Sequence, residues 1–122
     1  MGNLGKNFKR FPHTCRITYI DGKITGFESD EEYEAMKKVL FEGICRKEYM
    51  SNGTGQDYVV TADYRVQLGK IENGKEVGAI VPGIKAGMEM TVTDPGTTHI
   101  LFVKDVYIGQ LGTSVFCDKA NT

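Results

Sequence analysis

The feature that most limits this chain's fold is a period-two alternation of apolar and polar residues. A glycine-containing turn breaks it about every ten positions. A strand points successive side chains to opposite faces, so alternation suits a sheet with one buried face. Over 14–20, Cys15, Ile17 and Tyr19 share one side, and Thr14, Arg16 and Thr18 the other. The longest stretch is 58–68, where Val60, Ala62, Tyr64, Val66 and Leu68 oppose Thr61, Asp63, Arg65 and Gln67. Segments 39–49, 79–81, 87–94, 99–108 and 113–117 read as further strands. On 39–49, Val39, Phe41, Gly43 and Cys45 share one face. On 99–108 the apolar residues are Ile100, Phe102, Val106 and Ile108. Asp21-Gly22 predicts a hairpin joining 14–20 to 23–27, because the favoured two-residue turn needs positive φ.

One segment breaks the pattern. Ser29, followed by Asp30, Glu31 and Glu32, is a capping-box sequence, in which the Ser29 hydroxyl and the Glu32 carboxylate each satisfy a free N–H. Tyr33, Met36, Val39 and Leu40 follow at helical spacing, predicting a helix over 30–38. The expected fold class is therefore mainly β: a small antiparallel β-barrel or sandwich of seven to eight short strands with one short helix. The 122 residues suit one domain. The expected division is a flexible basic arm over 1–12, a barrel over 13–117 and a loose tail over 118–122.

Fifteen basic and 16 acidic residues leave a net charge of −1. Non-specific nucleic-acid binding would need a clear basic excess. No apolar run nears the roughly 18 residues of a membrane span, and the N-terminus does not read as a secretory signal, so a cytosolic origin and no membrane partner are expected. Cys15, Cys45 and Cys117 are odd in number and widely spaced, which predicts reduced, packed thiols. His13 and His99 lie in no nucleophile or metal signature, and the glycines of 109–112 lead into a strand instead of a helix. Tyr19, Phe27, Tyr58, Tyr64 and Tyr107 are assigned to core packing. No catalytic residue, cofactor or metal ligand is expected, and the chain is read as not an enzyme.

Charge placement points to contacts instead. Lys6, Lys9 and Arg10 make the arm basic, and Asp30, Glu31, Glu32 and Glu34 make the helix acidic, so these seven are the candidate interface. The segment 69–78 carries Lys70, Glu72, Asn73, Lys75 and Glu76 as a protruding loop or hairpin tip, the candidate channel or docking loop. The loop 51–56 is a second candidate.

The order of elements resembles that of small phage head–tail connector proteins of the head-closure, or stopper, family. The resemblance runs over 13–117. It rests on the His-containing strand His13-Thr14-Cys15-Arg16-Ile17, the middle strand 41–46, the strand segment 59–66, the approach Ile84-Lys85-Ala86-Gly87-Met88 and its continuation to Val92, and the returning segment 100–117. The helix at 29–38 departs from that pattern. The resemblance implies a structural virion protein, assembled in the host cytoplasm into a ring of its own copies. Its implied neighbours are portal or adaptor and tail proteins, with passive contact to the packaged DNA it retains. Alternatives are another small virion β protein, such as a tail terminator or tube subunit, or a β-barrel module that binds protein or nucleic acid.

Overall fold

The structure is a computed structural model and describes residues 10–50 and 62–120. Seven strands and one helix follow in the order β1 (His13–Ile20), α1 (Asp30–Ala35), β2 (Lys37–Tyr49), β3 (Tyr64–Glu72), β4 (Lys75–Gly78), β5 (Glu89–Asp94), β6 (Thr97–Gly109) and β7 (Gly112–Lys119). All pairings are antiparallel, in the order β2-β1-β5-β6-β7-β3, and a β2–β3 pairing closes the six into a barrel. Alternation then has a simple consequence. Ile17, Cys45, Val66, Met90, Val92, Val115 and Cys117 are fully buried within the barrel, with Leu68, Leu101 and Val103 beside them. The three cysteines are free thiols in this core. Burial and its neighbours Asp118 and Cys45 push the Cys117 thiol up to about 12, and a hydrogen bond with Cys45 together with burial raises Cys15 further. Both therefore stay protonated and act as small apolar residues.

Several sequence expectations are corrected. Residues 23–27 form no strand. β1 pairs instead with β2, and the 21–29 loop is braced by Glu28, whose carboxylate accepts from Thr25 N (2.6 Å), Thr25 Oγ1 (2.9 Å) and Gly26 N (3.0 Å). The helix ends at Ala35 and the strand starts at Lys37, because pairing Lys37 with Ile20 outweighs a helix of two turns. Val39 is 53% exposed. Ile17 faces Phe41 and Thr18 faces Val39, so Leu40 is an extra, bulged residue, and Leu40 and Phe41 pack on the core together. A second bulge at Lys104 resets β6: Leu101, Val103 and Val106 face inward while Ile100, Phe102 and Ile108 are exposed. The strand predicted over 58–68 spans Tyr64–Glu72; its residues 58–61 lie outside the described part. Segment 79–81 is not a strand. Ala79, Val81 and Ile84 turn inward and plug one barrel end, where Val81 N donates to the buried Thr113 Oγ1 (2.9 Å). Asp118 and Lys119 belong to β7 instead of a loose tail.

Candidate functional site

The segment 69–78 is a β-hairpin that continues β3 away from the barrel. Gly69 pairs with Gly78, Lys70 with Val77, Ile71 with Glu76 and Glu72 with Lys75. Asn73 (φ 52°) and Gly74 (φ 77°) form the turn, the left-handed pair that a two-residue hairpin needs. Lys70 Nζ lies 3.7 Å from Glu72. Lys70, Glu72, Asn73 and Lys75 are exposed, whereas Glu76 turns back toward the chain. Its Oε2 accepts from Arg10 N (2.5 Å) and Phe11 N (3.2 Å).

This contact corrects the picture of a flexible arm over 1–12, at least for its last residues. Phe11 is only 3% exposed, with its ring laid across Gly69, where a Cβ would meet the ring at 2.6 Å. The Arg10 guanidinium sits 5.3 Å over that ring, and the Arg10 carbonyl accepts from Arg46 (3.4 Å). Lys6, Lys9 and the loop 51–56 lie outside the described residues. A second close approach fixes the hairpin root. Gly78 passes so near the β6–β7 turn that a Cβ would lie 1.7 Å from the Leu111 carbonyl oxygen.

Between the hairpin root and that turn opens a groove of about 680 Å³. Among the described residues, Arg10 and Arg65 are its charged lining residues, and no acid lines it. Leu111 and Tyr107 stand exposed on it. Arg65 reaches Ser114 Oγ through Nη2 at 3.5 Å, and its Nε is buried without a hydrogen-bond partner among the described residues. Such an atom is costly to bury.

The acidic residues lie elsewhere. Glu32 closes the capping box with Ser29 (3.1 and 3.3 Å), as the sequence predicts. Glu34 pairs with Lys37 (3.0 Å), which also reaches Glu89 (3.2 Å) and lies 5.3 Å over the Tyr33 ring. Partial burial opposes the Lys37 charge, but the two carboxylates outweigh it and raise its pKa. Asp30 and Glu31 are exposed at the start of α1. Just before them Phe27, expected in the core, is 93% exposed. Among the described residues the structure thus places Arg10 apart from Asp30, Glu31, Glu32 and Glu34 within one copy.

The opposite barrel end closes on a polar layer that sequence reading missed. His13, Lys47, Asp94 and His99 continue the inward-facing rows of four strands. Lys47 Nζ lies 3.1 Å from Asp94, His99 Nε2 lies 3.5 Å from it, and Lys47 N donates to His13 Nδ1 (3.2 Å). The Lys47 ammonium holds Asp94 below its ordinary pKa. Burial keeps the His13 pKa low, which suits an imidazole accepting at Nδ1. In the sequence His13 and His99 read as isolated histidines; only the closed barrel joins them to Lys47 and Asp94. Among the described residues no group of three or more His, Cys, Asp or Glu is arranged to hold a metal, and no helix is long and apolar enough to cross a membrane. No known family profile matches the chain, and no curated protein or solved structure is detectably similar to it.

Proposed function

We propose that this chain is a structural assembly protein of a phage head–tail connector, a head-closure subunit that forms a ring with its own copies and docks between portal or adaptor and tail. The observation that carries the reading is the β3–β4 hairpin. It projects from a closed barrel and is buttressed at its root by Phe11 on Gly69 and by Glu76 on the arm backbone. A braced, charged projection with little share in the core suits contact with a neighbour. The barrel interior is filled by side chains, which suits a scaffold more than a ligand cavity. A tagged chain recovered from its native source, with cross-linking and mass spectrometry, tests the reading. Stoichiometric portal-like and tail-like proteins, cross-linked through Lys70 or Lys75, are expected. Recovery of the chain alone, or with one soluble enzyme or nucleic acid, would overturn it.

A further inference from the structure

The exposed Phe27 and the two-arginine groove are complementary, and they lie on opposite sides of the barrel. The loop carrying Phe27, Asp30 and Glu31 joins β1 to β2, and α1 is tied to β5 through Lys37 and Glu89. The groove lies against β3, β7 and the β6–β7 turn. In the order β2-β1-β5-β6-β7-β3, β7 stands directly across from β1 and β6 across from β2. Both features nevertheless sit at the same barrel end, where β1, β6 and β3 finish and β2 and β7 begin. A contact joining one side of a subunit to the opposite side of the next is heterologous, and it closes into a ring when the rotation allows.

The chemistry of the two sides matches. A ring held almost wholly in water gains by entering a groove with apolar walls, and aromatic anchors of this kind dominate interfaces. Arg10 and Arg65 put two guanidiniums on the groove, and carboxylates pair with guanidiniums through charge-assisted hydrogen bonds. We propose that the Phe27–Glu31 segment of one copy docks into the Arg10–Arg65 groove of the next, ring against Leu111 and Tyr107, carboxylates on the two guanidiniums. The proposal rests on the ring-assembly reading and names the contact that builds the ring.

Sedimentation velocity of the full-length chain, from micromolar to millimolar concentration, tests it. Self-association that weakens with salt is expected, and Phe27→Ala or Arg65→Met should each weaken it about tenfold. Arg65→Met removes the orphaned Nε, so its melting temperature should not fall; this separates docking from folding. The paired reversals Asp30→Lys/Glu31→Lys and Arg10→Glu/Arg65→Glu should each block association, and mixing the two variants should restore it. Association indifferent to Phe27→Ala and Arg65→Met would overturn the docking and leave the ring reading standing. A chain monomeric throughout, or reversals that do not complement, would overturn the docking too. The ring reading then stands or falls separately on the portal-like and tail-like proteins recovered from the native source.

Discussion

At the scale of single residues, contacts that leave no room for change decide the most. Gly78 is one, because its missing Cβ is the space the Leu111 carbonyl occupies. Gly78→Ala must part the hairpin root from the β6–β7 turn, so it should destabilise the fold by about 1–3 kcal/mol, read as a lower urea midpoint. His13 is another. Its folded pKa lies below the ordinary 6.5, so the unfolded chain binds a proton first as pH falls. The contribution of neutral His13 is complete above pH 6.5 and is lost as pH drops through the depressed folded value. Unfolding free energy should therefore decline below pH 6.5, and His13→Gln, which keeps an acceptor for Lys47 N, should flatten that decline. Neither residue announces its role in the sequence. Gly78 reads as one glycine among 15, and His13 as a strand-end histidine, because each role depends on a partner more than 30 positions away.

At the scale of elements, local chemistry was legible wherever the deciding contacts are local. The capping box of α1 and the Asn73-Gly74 hairpin are both written in four or five consecutive residues, and both form. Ser29→Ala should cost the helix about 1 kcal/mol, read as faster amide exchange at Glu32 with little change in global stability, since α1 buries no residue. Glu28, held down to about 2 by the amides and hydroxyl of Thr25 and Gly26, makes the same loop sensitive to acid. Its brace is complete above pH 4.5 and is lost as pH falls toward 2. The Asp21-Gly22 hairpin fails for the opposite reason. The turn signal is local, yet β1 already has β2 and β5 on its two sides, so no edge is left for 23–27. The bulges at Leu40 and Lys104 are equally invisible beforehand, because a one-residue shift exists only between two strands. Each breaks a row of apolar residues: Val39 faces outward while Phe41 and Cys45 turn in, and Ile100 and Phe102 face outward while Val106 turns in.

At the scale of the whole molecule, closure of the barrel organises everything else. The fold class was legible because alternation and turn spacing are properties of the whole sequence. The candidate groove and the polar barrel end were not, because they are assembled from strands far apart in the chain. The core is shared among six strands, so one deletion there is felt throughout. Leu101→Ala should cost about 2–5 kcal/mol in a single cooperative transition, checked by coincident circular dichroism and fluorescence melts. Closure also gives each of the six barrel strands a neighbour on both sides, although β2 pairs with β3 only from Cys45 to Tyr49 and β6 with β5 only from Thr97 to Phe102; among the described strands β4 has a single neighbour, and it is four residues long and opens with Lys75 and Glu76. Backbone-to-backbone zipping, the route by which β proteins lock together irreversibly, is therefore confined to β4 and to the stretches outside those pairings. In the proposed ring, copies meet through side chains at Phe27 and the groove, and such contacts let go and try again. In such a ring a misplaced subunit can leave before the next arrives, so an assembly of this kind can correct its own mistakes.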